Sequence, residues 1–236
     1  MAIVAIITAR GGSKRIPRKN IKLFCNRPII EYSIDAALSS GIFDEVMVST
    51  DDHEIAEIAT KGGARVPFLR GEENSNDFAS TADVICEVIE SYKSINQLFD
   101  KGCCIYPTAP FINAALLKQG FELFEQNKFD VVFPVVQYSY PIQRSLRMLN
   151  EGKVEMLWPE NYVKRSQDLE SIYHDAGQFY WFDTLSMLKN KKLFTPNSGS
   201  IVINEMVAQD IDTIDDWQLA EIKYKAQNLL SHTIRK

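Results

Sequence analysis

The chain has 236 residues, with 26 Lys+Arg against 31 Asp+Glu, a formal net charge of -5 at pH 7, 45% hydrophobic and 24% charged residues. This is an ordinary globular composition that excludes disorder, coiled coil, collagen and a disulfide scaffold, and its acidic balance argues against a broad nucleic-acid footprint. Folding a chain of this length removes roughly 70–75% of the unfolded surface from water, so no disulfide or metal staple is needed.

In chain order, residues 2–8 form a β-branched apolar run that predicts a buried strand leaving into Ala9-Arg10-Gly11-Gly12. The run is far short of the ~20 residues of a membrane span. Arg10 follows it too soon for a signal peptide, so a cytoplasmic protein is expected. Pro28 suits the first turn of a helix through Ser40, with Gly41 as its stop. Residues 45–49 predict a second strand. Asp51 to Glu54 resembles a capping box for a helix ending near Gly62-Gly63, and residues 64–69 predict a third, short strand. Residues 71–77 are polar and loop-like. Ser80 with Asp83 opens a helix whose Ala82, Ile85, Cys86 and Ile89 share one face. Residues 102–106 predict a fourth strand, broken by Pro107 and Pro110; Leu117, Phe121 and Phe124 mark the next helix, and residues 130–136 a further buried strand. Residues 138–174 lack a clean period and read as an insertion of turns and short strands. Strands at 178–182 and 200–204 follow. A helix at 214–230 closes the chain, with Leu219, Ile222, Ala226 and Leu229 on one side.

Alternating strands and helices, with early strands apolar on both faces, predict an α/β fold. It is expected to be a single domain over 1–236, with a mostly parallel, doubly wound sheet and an inserted arm at 138–175. Ligands of such sheets sit at the carboxyl ends of the strands, so the loops after residues 8, 49, 106 and 204 are expected to rim one pocket. Cys25, Cys86, Cys103 and Cys104 form no C-x-x-C pair and read as buried reduced thiols, the adjacent two on opposite faces of a strand. His53, His174 and His232 are isolated and suggest no zinc cluster.

The sharpest signal is the segment from Ala9 to Asn20. Its glycines let backbone N–H groups approach an anion. Arg10, Lys14, Arg15, Arg18 and Lys19 crowd five cations into an acidic protein, a charge density that a triphosphate would neutralise. A basic surface loop touching RNA or another protein is the alternative, and Gly-Gly directly after a buried strand favours the phosphate. Neither G-x-x-x-x-G-K-[ST] nor G-x-G-x-x-G is present, which argues against a P-loop and a nicotinamide site.

The loop Arg10-Gly11-Gly12-Ser13-Lys14, with Pro17, Lys19 and Asn20, resembles the signature of the CMP-sugar-acid synthetases, cytidylyltransferases that activate nonulosonic acids. Further matches follow in order: Val48-Ser49-Thr50-Asp51, Leu69-Arg70, Asp77-Phe78-Ala79-Ser80-Thr81, Tyr106-Pro107-Thr108-Ala109-Pro110 and Asp210-Ile211-Asp212-Thr213. The stretches 15–20, 66–70, 165–168 and 174–181 look most like the branch acting on pseudaminic acid. Tyr106 and His174-Asp175-Ala176 depart from the sialic acid branch, which has Gln and R-P-N there. The resemblance implies a Rossmann-like nucleotidyltransferase. CTP and a nine-carbon sugar acid would give the CMP-sugar and pyrophosphate, the anomeric hydroxyl attacking the α-phosphorus directly. Sialic or legionaminic acid remains an alternative substrate, and a noncatalytic CTP-binding module an alternative class.

On that reading Arg10, Ser13 and Lys14 contact the triphosphate and Lys19 neutralises charge at the α-phosphate. Asn20 addresses the nucleotide, while Arg70, Thr81, Tyr106 and Thr108 line the base and ribose side. Ser80 is equally a helix cap. Asp210 and Asp212, alternating along an extended segment, leave on one face and suit Mg2+; capping of the last helix is the alternative for Asp212. Arg165, then Arg144, is the candidate for the sugar carboxylate. Gln178 and His174 are candidates for its hydroxyl or acyl groups, and Asp175 for a base. The arm carries Tyr138, Tyr140, Leu146, Met148, Leu157 and Trp158. The resemblance implies that the arm is exchanged in a homodimer; packing onto its own sheet is the alternative.

Overall fold

The computed structural model describes residues 1–76 and 78–234, with side chains as far as Leu229. Asp77 and the side chain of His232, both singled out above, lie outside the described residues.

The first half of the chain sets down β1 (Ile3–Thr8), α1 (Ile29–Ser40), β2 (Glu45–Ser49), α2 (His53–Lys61), α3 (Thr81–Ser94) and β3 (Lys101–Ile105). Next come α4 (Ala114–Asn127), β4 (Val131–Gln137) and an arm holding a short hairpin of β5 (Leu146–Met148) and β6 (Val154–Met156). The chain closes with β7 (Tyr173–Asp175), β8 (Phe179–Asp183), α5 (Thr184–Asn190), β9 (Ser198–Val202) and α6 (Ile214–Ile234).

One seven-stranded sheet takes the order β9-β4-β8-β3-β1-β2, with β7 also paired to β4. Strand β1 runs parallel to β2 and β3, and β9 parallel to β4. Strand β8 is antiparallel to both its neighbours, so the sheet is mixed, with a parallel half at β2-β1-β3. Apolar runs such as 179–182 fit either direction, because burial on both faces leaves no signature of strand polarity. The close approach of β3 and β8 depends on Gly102, where an added Cβ would lie 2.3 Å from the Phe182 ring.

Alternation along the strands divides the core. Ile3, Ala5, Ile7, Cys103 and Trp181 pack with α1, α2 and α4 on one face, while Val4, Ile6, Cys104, Tyr180 and Phe182 pack with α3 and α5 on the other. The four cysteines are free thiols; Cys103 and Cys104 are buried on opposite faces as expected, whereas Cys25 and Cys86 are only half-buried. A third cluster joins Ile16 of the first loop to Phe24, Ile29, Ile211, Trp217 and Ala220. Burying Ile16 and Ile211 together contributes about 1.5–3 kcal/mol for each side chain and brings the charged residues beside them into contact.

Three expectations are corrected. Residues 64–69 form no strand; a single bridge, Met47 to Arg65, is all that joins the sheet there. The cap of α2 is Asp52, which accepts from Ile55 N, and Asp51 turns back to the first loop instead. On α6, Leu219, Ile222 and Leu229 face outward, and Trp217, Ala220 and Tyr224 form the packed side. Trp217 and Tyr224, both edge-on to Phe24, select that face.

Candidate active site

The carboxyl ends of β1 and β3 open onto a cavity of about 410 Å³. Its walls include Arg10, Ser13, Lys14, Lys19, Asn20, Arg70, Thr81, Tyr106 and Thr108, so nine residues chosen from the sequence meet in one place. The loops after residues 8 and 106 line it directly. The loop after residue 49 supports it from behind, and the one after residue 204 does not line it but reaches its edge through Ile211 and Asp212. The expected four-loop rim is therefore two lining loops and two buttresses.

The first loop is held by its own backbone and by carboxylates. Ala9 N donates to Ser49 O at 2.9 Å and Gly11 N to Asp51 Oδ1 at 2.8 Å. Gly11 is needed here, because a Cβ would come within 2.8 Å of Asp52 Oδ2. Asn20, buried, donates from Nδ2 to Arg10 O at 2.9 Å and closes the loop on itself. Arg10 donates to Asn76 O at 3.0 Å. The side-chain oxygen of Asn76 accepts from Phe78 N and Ala79 N, so the polar segment from 71 also shapes the cavity. Asn74 and Asn76, also in the cavity wall, carry no signal in the sequence beyond a run of turn-forming residues.

Carboxylates of the chain meet part of the loop's charge. Arg18, in a left-handed backbone conformation (φ 55°), pairs with Asp52 and Glu54, and Arg15 pairs with Asp212 at 2.8 Å. Arg15, Arg18 and Lys19 thus lie within ion-pair reach of carboxylates of the chain itself. Lys19 donates from Nζ to Ile211 O at 2.6 Å and lies 3.6 Å from Asp212 Oδ1.

The hydrogen bonds from Arg18 pull the Asp52 carboxyl down from 3.8 to about 2. A folded value below the unfolded one means stabilisation that is full above about pH 4 and vanishes as pH falls toward 2. Asp52→Asn keeps the helix cap but loses the ion pair, and should cost about 1–2 kcal/mol at pH 7. In urea unfolding, the gap between variant and wild type should close on acidification.

On the opposite wall Arg70 is buried and donates to the backbone oxygen and hydroxyl of Ser49, at 2.5 and 2.9 Å. Burial pushes its guanidinium pKa down, opposed by the charges of Asp51 and Glu87. Thr81 opens α3 just after Ser80, whose hydroxyl completes a capping box with Asp83. Thr81 Oγ1 lies 3.1 Å from the Tyr106 hydroxyl.

Other residues named from the sequence lie elsewhere. Gln178 does not line the cavity; it is buried and donates to Val207 O at 2.6 Å. Arg165 stands exposed on the arm, paired with Asp168 at 2.7 Å, and Arg144 donates to Lys164 O and Ser166 Oγ. Asp210 lines a neighbouring depression with His174, Asp175 and Lys223. Burial first, then the charge of Asp212, push the Asp210 carboxyl pKa up. Among the described residues no group of three or more His, Cys, Asp or Glu is set to hold a metal. Two mutually repelling carboxylates beside a cationic loop nevertheless fit Mg2+, which takes one or two carboxylates and fills its shell from phosphates and water.

A parallel half-sheet with a glycine-rich basic loop at its carboxyl edge defines a nucleotidyltransferase-type fold. It superimposes with a TM-score of 0.71 on a solved CMP:2-keto-3-deoxy-manno-octonic acid synthetase complexed with CTP. That match has 16% identity and covers 97% of this chain and 100% of the other. A family model described as cytidylyltransferase matches residues 4–223, and the chain belongs to that family of nucleotide-transferring enzymes. It is 46% identical over 228 residues to a pseudaminic acid cytidylyltransferase of Campylobacter jejuni, covering 97% of this chain and 98% of that one. It is 31% identical to a CMP-N,N'-diacetyllegionaminic acid synthase of Legionella pneumophila, covering 94% and 95%.

Proposed function

We propose that this chain is a pseudaminic acid cytidylyltransferase, converting CTP and pseudaminic acid into CMP-pseudaminic acid and pyrophosphate. The observation that carries it is the cavity itself, where a basic glycine loop faces Arg70, Thr81 and Tyr106 across a space sized for a nucleotide. The identity of 46% along almost the whole chain favours this sugar over the legionaminic alternative.

In this mechanism Arg10, Ser13 and Lys14 hold the β- and γ-phosphates, and Lys19 meets the charge that builds at the α-phosphate as pyrophosphate leaves. Asn20, Arg70, Thr81, Tyr106 and Thr108 fix the nucleoside, so that the sugar hydroxyl attacks in line without a covalent enzyme intermediate. Asp210 and Asp212 would hold Mg2+, which would neutralise phosphate charge when bound. Arg165 meets the sugar carboxylate once the arm packs against a second copy. The arm's exposed Tyr140, Met148, Tyr162 and Val163 support a homodimer, and the enzyme is proposed to act in the cytoplasm. Among the described residues no helix is long and apolar enough to cross a membrane.

Pyrophosphate release with CTP and pseudaminic acid, run beside sialic and legionaminic acids, tests the proposal. Turnover is expected with pseudaminic acid at least tenfold above the others; CTP binding without turnover on any sugar acid would overturn it in favour of a noncatalytic module.

A further inference from the structure

Past a single turn at Glu205–Val207, the chain leading to Asp210 and Asp212 belongs to no strand or α-helix. Side chains anchor its backbone oxygens instead. Gln227 Nε2 donates to Met206 O at 2.7 Å, Gln178 Nε2 to Val207 O at 2.6 Å and Lys19 Nζ to Ile211 O at 2.6 Å. Lys223 of α6 makes the most contacts: its Nζ donates to Glu205 O at 3.1 Å, Ala208 O at 2.9 Å and Gln209 Oε1 at 3.0 Å. Lys223 and Asp210 line the same depression.

These contacts have one polarity. An ammonium carries three donors and no acceptor, so Lys223 commits all of its protons to this segment and draws the side-chain oxygen of Gln209 toward itself. The amide nitrogen of Gln209 then faces the other way, where it donates to Asp210 O at 3.1 Å. A charge fixed on α6 thus reaches the Asp210 backbone through one intervening side chain. Beyond the two carboxylates, Asp216 Oδ2 accepts from Asp212 N at 3.1 Å and Thr213 N at 2.8 Å, so α6 grips the segment at both ends.

We propose that Lys223, acting through Gln209, is a positioning residue that sets Asp210 beside Asp212 so that both carboxylates meet one divalent cation. The inference rests on the reading of Asp210 and Asp212 as Mg2+ ligands. Neither Lys223 nor Gln209 lines the nucleotide cavity, so their effect on CTP passes through the acidic segment. Mg2+ demands near-octahedral geometry, which makes its affinity sensitive to a ligand that drifts. A lysine serving only to tie α6 down would act on stability and leave that geometry alone.

Calorimetric Kd values for CTP, measured without sugar acid in saturating Mg2+ and again in EDTA, give the factor by which the cation tightens binding. In Lys223→Met that factor should fall about fivefold, while the Kd in EDTA stays within about twofold of wild type. Gln209→Met should lower the factor about threefold, because the backbone anchors on Lys223 survive, and should add nothing to Lys223→Met, because the two residues act in series. Gln209→Met also carries the test if Lys223→Met fails to fold. Gln227→Met removes another hydrogen bond from α6 to the same segment without touching Gln209 or Asp210, and should leave the factor unchanged. The proposal is overturned if Lys223→Met weakens CTP alike with and without Mg2+, if Gln209→Met keeps the wild-type factor, or if Gln227→Met lowers it equally. A wild-type factor near one, or one that Asp210→Asn leaves unaltered, overturns the cation reading instead.

Discussion

Lys19→Ala is expected to lower kcat for pyrophosphate release about 10²–10³-fold while changing the Kd for CTP less than about threefold. The ammonium is tethered by one donor to Ile211 O at 2.6 Å and lies 3.6 Å from Asp212. Its other donors remain for an anion on the cavity side. A cation fixed before the reaction costs no reorganisation when charge migrates to the leaving oxygen, so its effect concentrates in the transition state. Ground-state phosphate binding by contrast is shared with Arg10 and Lys14, which also line the cavity. Calorimetry with CTP beside steady-state turnover separates the two effects. Equal losses in affinity and turnover would assign Lys19 to binding alone. Lys19→Arg keeps the charge but not the compact geometry that fits beside Ile211, and should recover only part of the rate.

The same residue illustrates what the sequence made legible. Glycines and lysines between 9 and 20 announce an anion-binding loop, and the strand before it places that loop at the carboxyl edge of the sheet. Nothing local announces that Lys19 is held by a carbonyl 192 positions away, because that contact depends on Ile16 and Ile211 sharing a core. Apolar pattern located β1, β2, β3 and β4 closely. It missed the direction of β8, which is buried on both faces and carries no alternation to read. It also placed the wrong face of α6 inward, since Leu219, Ile222 and Leu229 make a better apolar stripe than the Trp217, Ala220 and Tyr224 that pack. Gln178 is polar in the sequence, and the fold turns its amide nitrogen to Val207 O inside the protein.

The loop's electrostatics follow the same logic. Charge counting along residues 10–19 implies five repelling cations awaiting a polyanion, whereas the folded chain brings Asp52, Glu54 and Asp212 to Arg15, Arg18 and Lys19. Arg18 with Asp52 is a fixture of the scaffold: it anchors the loop to the start of α2. Arg15 with Asp212 is more exposed, and exposed pairs are worth little, so it exchanges partners at small cost.

That exchange sets the second large effect. Asp212→Asn is expected to raise the Mg2+ concentration for half-maximal activity about tenfold or more, corresponding to ~1.4 kcal/mol or more of lost cation binding. Asp210, left as the one carboxylate, would hold the ion with phosphate and water alone. Arg15→Gln should act in the opposite direction, lowering the requirement about 2–5-fold, because Asp212 no longer has to leave a guanidinium to meet the cation. The two variants therefore diverge, and simple damage to the loop would make both worse. A Mg2+ titration of turnover, repeated as a Mg2+ titration of CTP binding by calorimetry, reads the requirement with and without chemistry. Unchanged midpoints in Asp212→Asn would move the cation away from this carboxylate and leave it as the ion-pair partner of Arg15 and Lys19.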